Sequence, residues 1–344
     1  MKNKIFLMFT VLFISLTSCT NQDVEYADFD YQSVYFAYQF PVRTITLGED
    51  TFDTSLDNEH KCQIMATLGG VYSNKKDVTI DIEAANALTT GLLFGQAGDD
   101  IVPMPSNYYT LLSDKIVISK GNITGGVDVQ LTEAFFEDPL SIKKTYVIAL
   151  KMTNVVNADT ILSGKALVEN PNRAIAGDWS VTPKDFIFYA VKYVNPWDGN
   201  YLRRGKDVIV GNNGNTSLNK TIVRHNAYVE YDQVYKINTL SLTTIDFPVV
   251  YKDAGGNNIN CSLILTFDNS GNCTVTSSNP SSYTATGTGK FIKRGEKNSW
   301  GSKDRDALYL DYSVNLQDFN VATKDTLVLR DRGVKAETFT PVLK

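Results

Sequence analysis

Apolar residues in this chain form one long, almost wholly apolar run near the N-terminus. After it they come as short alternating or aromatic-rich runs separated by polar turns. Val78-Thr79-Ile80-Asp81-Ile82 alternates strictly, which predicts a strand with one buried face. Ser33–Tyr38, Arg43–Leu47, Lys61–Leu68, Tyr108–Leu112, Lys115–Ser119, Val127–Leu131, Tyr146–Leu150 and Lys165–Val168 are rich in β-branched and aromatic residues and read as further strands. Gly125-Gly126 separates two of them as a hairpin loop would. No window of about a dozen residues carries helical periodicity. Glu83–Leu93 and Thr132–Phe136 are the best places for short helical turns. Short strands with polar turns between them predict an immunoglobulin-like β-sandwich.

Asn170-Pro171-Asn172-Arg173 interrupts the pattern and is read as a domain boundary. A second strand set follows: Asp185–Val194, Thr221–Tyr231, Gln233–Thr243, Phe247–Tyr251, Cys261–Phe267, Cys273–Ser277, Ala285–Arg294, Ala307–Val314 and Thr326–Arg330. A long loop, Gly295–Asp306, holds Trp300. No helices separate these strands, so a parallel βαβ sheet is excluded. The expected fold is all-β: an immunoglobulin-like β-sandwich over 33–170, then an antiparallel β-barrel or second β-sandwich over 171–344.

The apolar run at the N-terminus reads as an address. Lys2 and Lys4 precede Ile5–Leu16, a basic segment followed by an apolar one. A bilayer-spanning helix needs roughly 20 apolar residues, so this run is too short to be a permanent anchor. Leu16-Thr17-Ser18-Cys19 resembles a bacterial lipobox, with Leu three places before the cleavage site and Cys directly after it. That resemblance implies a signal peptide over 1–18, cleavage before Cys19, and acylation of Cys19. Several acyl chains together anchor stably where one is marginal. Residues 19–32 read as a polar, flexible tether. The expected location is the outer membrane, lipid-anchored and facing the cell exterior.

Hydrophobic residues make up 43% of the chain, which supports real cores. The net charge of −5 becomes two units more negative without Lys2 and Lys4. An acidic chain lacks the basic footprint that nucleic acid requires. If Cys19 carries lipid, Cys62, Cys261 and Cys273 remain, an odd number. Cys261 lies six residues along its strand from Phe267, which faces Cys273 across the predicted turn. At about 3.3 Å per residue the two cysteines are roughly 20 Å apart, and a disulfide needs Cα atoms within about 7 Å. Three buried free thiols are expected. There is no CxxC and only two histidines, so no metal site or other cofactor is expected.

Val34-Tyr35-Phe36, Pro41–Thr44, Tyr108–Leu111, Ile116–Gly121, and Phe135–Pro139 with Tyr146–Ile148 resemble a domain of unknown function. It is the N-terminal domain of Bacteroidetes surface lipoproteins encoded with glycan-uptake systems. The resemblance covers roughly residues 30–168 and implies an immunoglobulin-type sandwich ahead of a variable C-terminal module. Val191–Gly205, Gly287–Phe291 and Leu308–Tyr312 resemble a companion domain of unknown function in the same proteins. The implied context is glycan foraging at the cell surface, with no reaction attached.

The residues themselves offer little for catalysis. A Ser or Cys nucleophile needs a nearby base, usually His; His60, in a polar turn, and His225, at a strand in the other predicted domain, both read as surface or structural residues. Acids abound, but no pair stands out for glycosidase chemistry, and no GxSxG, phosphate loop or HExxH occurs. The chain is read as not an enzyme. Asp99-Asp100 and Asp304–Asp306 lack EF-hand spacing and read as solvated loop acids. Trp179, beside the boundary, reads as interdomain packing. Trp197, in the turn-like Asn195–Gly199, Trp300, in a polar loop, and Tyr201 are the candidate ligand contacts. Loops on rigid sheets are where binding residues concentrate. The leading expectation is non-catalytic binding of a polysaccharide or oligosaccharide. A structural or adhesive envelope protein acting on a protein partner comes second, and a divergent glycoside hydrolase third.

Overall fold

The structure, a computed structural model, describes residues 28–344. Cys19, the lipobox and most of the tether lie outside them. Among the described residues no helix is long and apolar enough to cross a membrane.

The main strands of the first domain are β1 (Ser33–Tyr35), β2 (Pro41–Thr46), β3 (Lys61–Gly69), β4 (Val78–Ala84), β5 (Tyr109–Leu111), β6 (Lys115–Ile118), β7 (Thr124–Leu131), β8 (Tyr146–Val156) and β9 (Phe186–Val194). One sheet runs β1-β3-β7-β5, and the facing sheet runs β2-β9-β8-β4-β6. Named by the immunoglobulin convention, these are strands A-B-E-D against A′-G-F-C-C′. The predicted alternation holds in β3, whose Cys62, Ile64, Ala66 and Leu68 are buried. They meet Val78, Ile80 and Ile82 of β4 in the inter-sheet core.

Strand β9 corrects the predicted division at residue 171. It pairs antiparallel with β8, Tyr146↔Val191 to Lys151↔Phe186, and parallel with β2, Ala190↔Val42 to Val194↔Thr46. It is strand G of the sandwich, not the start of the second domain. The connection from β8 to β9 is a long excursion carrying a small hairpin, Lys165–Ala166 against Trp179–Val181. The Asn-Pro break lies inside that excursion. The sequence did hold a signal: Phe186–Val191 is buried without alternation, as expected of a strand covered on both faces. The outer cover is a second apolar cluster of Phe186, Phe188, Phe40, Phe94 and Phe339.

The second domain is a barrel. Its strands are β10 (Gly199–Gly211), β11 (Lys220–Arg224), β12 (Gln233–Thr239), β13 (Thr244–Lys252), β14 (Asn258–Phe267), β15 (Asn272–Ser277), β16 (Thr284–Glu296), β17 (Arg305–Asn315) and β18 (Phe319–Asp331). From β12 onward each pairs with the next, and β18 closes on β10 from Asn200↔Asp331 to Gly211↔Phe319. The interior is packed with alternating side chains, including Ile245, Phe247 and Val249 of β13 and Leu308, Leu310 and Tyr312 of β17. A Cβ at Gly287 or Gly289 would come within 2.4 Å of Tyr312 or Leu310. Those two glycines let the large residues of β17 lie flat against β16.

The chain then returns to the sandwich. Glu337–Thr338 pairs with Pro41–Val42, and Val342–Leu343 pairs with Leu92–Leu93. Phe339 packs at 4.8 Å from Phe94 and 5.6 Å from Phe40. Arg332 sits at the crossing and is 4% exposed. Its guanidinium donates to Asp198 O at 2.7 Å, Asn195 O at 2.6 Å, and Leu47 O and Glu49 O at 3.1 Å.

Candidate functional site

One barrel end faces the sandwich. Here β10 begins, β18 ends, and the turns between β12 and β13, β14 and β15, and β16 and β17 all protrude. Both candidate tryptophans lie at this end. Trp197 is fixed by the turn that enters the barrel. Asn195 Oδ1 accepts from Trp197 N and Asp198 N, both at 3.2 Å, and Asn195 Nδ2 donates to Ser241 O and Thr244 O at 2.8 and 2.9 Å. This is a side-chain-capped turn of the kind Asn favours. The indole stacks on Phe267 with ring centroids 4.0 Å apart and 9° between planes.

Beside that stack opens a cavity of about 380 Å³. Trp197, Phe267 and Phe291 make its apolar wall, and Asp268, Asn269, Ser270 and Lys293 make its polar rim. The size falls in the range of small-ligand sites. Asp268 is committed to its own turn, accepting from Ser270 N at 2.8 Å, Asn272 N at 2.9 Å and Asn272 Nδ2 at 2.9 Å. The Asn272 amide bond holds its carboxyl below the usual range. The rim therefore offers a fixed negative charge, the side chains of Asn269 and Ser270, and the ammonium of Lys293, which Glu49 holds at 2.8 Å.

The other predicted contacts fare differently. Tyr201 is fully buried, and its hydroxyl donates to Trp197 O at 2.9 Å. It supports the Trp197 turn from below and cannot touch a ligand, which corrects its assignment as a contact. Trp300 is half-buried. Its Nε1 donates to Leu329 O at 3.2 Å, and the Arg305 guanidinium covers one face at 3.4 Å from the ring centroid. Its neighbours Arg305 and Leu329, and not Trp300 itself, line a smaller cavity of about 170 Å³ between Glu49–Thr51 and the barrel, whose other walls are mostly charged. Trp179 also departs from expectation. It bonds Asn172 O at 2.8 Å and lies under Arg173, so it packs within the β8–β9 excursion.

Sequence reasoning missed Phe267, Phe291 and the Asp268–Gly271 rim. The Cys261–Phe267 strand and the turn after it were legible, but their meeting with Trp197 depends on barrel closure. A buried ionic cluster was missed as well. Asp325 accepts from Arg203 Nε at 2.9 Å, Arg224 Nη2 at 2.7 Å and Tyr312 Oη at 3.0 Å, and Asp207 pairs with Arg224. The Asp325 side chain is 0% exposed, so the cluster braces the barrel from inside.

His60 takes a left-handed backbone, φ 59°, and its ring lies 4.2 Å from that of Phe136. His225 is exposed and approaches Arg204 at 3.4 Å. Cys62, Cys261 and Cys273 are buried and unpaired, as expected. Burial pushes the Cys62 and Cys273 thiols up to about 12. Among the described residues no group of three or more His, Cys, Asp or Glu side chains is arranged to hold a metal ion.

A crystal structure of a protein of unknown function from Bacteroides ovatus superposes on this chain with a TM-score of 0.87. The identity is 48%, over 92% of this chain and 100% of that one. The chain belongs to that protein's family. A family model for a domain of unknown function (DUF5627) matches residues 196–333, close to the barrel, and a model described as an N-terminal domain matches residues 29–159. Two further Bacteroides ovatus structures, one a multidomain protein including DUF1735, align at a TM-score of 0.40 with 9% and 11% identity, below the level at which a shared fold follows. No curated protein matches the chain.

Proposed function

We propose that this protein is a non-catalytic carbohydrate-binding lipoprotein, anchored through Cys19 to the outer membrane and facing outward. The observation that carries the binding reading is the cavity beside Trp197. A flat aromatic wall backed by Phe267 suits the apolar CH face of a sugar ring, and the Asn269, Ser270 and Lys293 rim suits its hydroxyls. Trp197 replaces Trp300 as the central contact, because Arg305 already occupies one face of Trp300. The lipobox supports the envelope setting.

The test is a glycan array probed with soluble residues 20–344. One polysaccharide class binds, and Trp197→Ala weakens it about tenfold or more, the scale of one lost aromatic contact. Trp300→Ala leaves it within about twofold. Silence across plant, mucin and microbial polysaccharides overturns the reading, and so does unchanged binding by Trp197→Ala. The anchor is tested separately: Cys19→Ala abolishes acylation of the exported chain and releases it from the membrane fraction.

A further inference from the structure

The two ends of the sandwich differ. The barrel leaves from the end where β9 stops at Val194, beside the start of β8, since Tyr146 pairs with Val191. Strand β8 runs away from that end and stops at Val156, opposite Thr79 near the start of β4. It covers 11 residues, so at about 3.3 Å per residue the two ends lie roughly 30 Å apart.

The described chain enters at this second end. Phe29 N donates to Gly70 O at 3.0 Å, and Tyr72 N donates to Asp28 Oδ1 at 2.7 Å. A Cβ at Gly70 would come within 2.3 Å of Tyr31 O, so the entering segment lies flush against the β3–β4 loop. Ile123, in the β6–β7 turn, is tied to the same end by its carbonyl, which accepts from Leu68 N at 2.8 Å. These segments expose large rings: Phe29 is 79% exposed, Tyr72 67% and Tyr31 58%. Val156 and Ile123 are exposed at the same end. Its charged residues are Asp28, Asp30, Asp77 and Asp159 against Lys75, Lys76 and Lys120. Asp28, Asp77 and Asp159 also hold the main-chain N–H groups of Tyr72, Lys120 and Gln32. A polar recess of about 360 Å³ opens here, lined by Asp30, Lys75, Lys76 and Asp159 with Asn74 and Asn157.

We infer that this end docks on the lipid surface that holds Cys19, with Phe29, Tyr31 and Tyr72 in the interfacial zone and the recess against the headgroups. The inference rests on the reading of Cys19 as a lipid anchor. Thr20–Ala27 is eight residues, so the chain from Cys19 to Asp28 reaches at most about 30 Å even when fully extended. That keeps this end near the bilayer, with the barrel farther out by the length of the sandwich. Tethering also raises the local concentration of the rings at the surface, so contacts too weak to hold a free protein suffice. Rings with an apolar body and a polar tip settle at headgroup level. Lysines and aspartates together match the phosphate and ammonium of a zwitterionic headgroup. Because the charges nearly cancel, apolar area supplies the contact and salt changes it little.

The test couples residues 19–344 through Cys19 to vesicles of phosphatidylcholine and phosphatidylethanolamine that carry a maleimide-headed lipid. Burial pushes the Cys62 and Cys273 thiols up to about 12 and Cys261 to about 11, which directs the coupling to Cys19. Tyr72→Trp is expected to lose fluorescence to bromine-labelled lipid, while Tyr231→Trp, on the barrel, behaves as the unmutated protein does. Amide exchange slows at Phe29–Gln32 and Val71–Lys76 on coupling, and replacing Phe29, Tyr31 and Tyr72 together by Ser abolishes the slowing. If that triple variant misfolds, the quenching at position 72 still decides. No quenching, equal quenching at both positions, or slowing that survives in the folded triple variant overturns the inference. Slowing that needs anionic lipid and vanishes in high salt overturns it too, since charge then makes the contact. The lipid is attached chemically, so none of these outcomes depends on acylation in the cell, and the Cys19→Ala fractionation judges the anchor alone.

Discussion

Arg332→Ala removes the clasp at the crossing between the two domains. The guanidinium is 4% exposed and donates to four carbonyl oxygens, at 2.6, 2.7, 3.1 and 3.1 Å. Those oxygens belong to Leu47 and Glu49 of the sandwich and to Asn195 and Asp198 of the turn into the barrel. Hydrogen bonds to a charged donor contribute about 1.5–3 kcal/mol each, and an orphaned buried acceptor costs about 1–3 kcal/mol. The two shortest bonds alone therefore amount to about 3–6 kcal/mol, with the outer two partly replaced by water on loss of the side chain. Arg332→Lys keeps the charge but not the planar fork that reaches several oxygens at once, and loses about half as much. The assay is urea unfolding followed separately by Trp fluorescence and far-UV circular dichroism. The unmutated protein is expected to unfold with the two probes superimposed. Arg332→Ala is expected to separate them into two transitions, because coupling between domains is what it removes. A loss below about 1 kcal/mol with coincident probes would refute the reasoning.

Three further outcomes can be checked the same way. Asp325→Ala leaves Arg203 and Arg224 buried without their shared carboxylate and costs about 3–5 kcal/mol, measured by urea denaturation. Phe339→Ala opens the cluster on the outer face of β9 and costs about 3 kcal/mol, and deletion of residues 334–344 exposes the same phenylalanines and raises binding of a hydrophobic dye. Burial holds the His60 imidazole below its ordinary value, against a smaller opposing pull from Glu133. The unfolded chain then takes up the proton first, so stability is full above the ordinary histidine value and falls as pH drops through it. His60→Asn tolerates the left-handed backbone and flattens that part of the curve. An unchanged slope between about pH 7 and 5 would show that His60 does not carry it.

Individual strands were legible because their alternation is a local property. Val78–Ile82 could be read as a half-buried strand from five residues, and β4 is one. The sandwich boundary was not, because the Asn-Pro break lies in an excursion that ends by returning to the same sheet. Continuous apolarity in Phe186–Val191 marked a doubly covered strand, but its cover, Phe339, is more than 140 residues away in the chain. Tyr201 reads like Trp197 in sequence, an aromatic near a turn. Strand parity separates them: Tyr201 points into the barrel, and Trp197 stands before the first barrel strand. The Arg203–Asp325–Arg224 cluster needs three strands brought together by closure, and no spacing rule reports that.

The returning C-terminal segment makes the barrel an insertion. The chain enters it at Gly199 and leaves at Asp331, and Asn200 pairs with Asp331, so entry and exit lie side by side. The sandwich holds chain on both sides of this cassette, and its core takes from the barrel only a contact with Leu242 of the β12–β13 turn. A protease that cuts one crossing leaves the barrel still held by the other and by the Arg332 clasp. Adjacent ends also mean that a different module could occupy the same socket without moving either end of the sandwich. The sandwich is then a fixed mount, and the barrel an exchangeable unit seated in it.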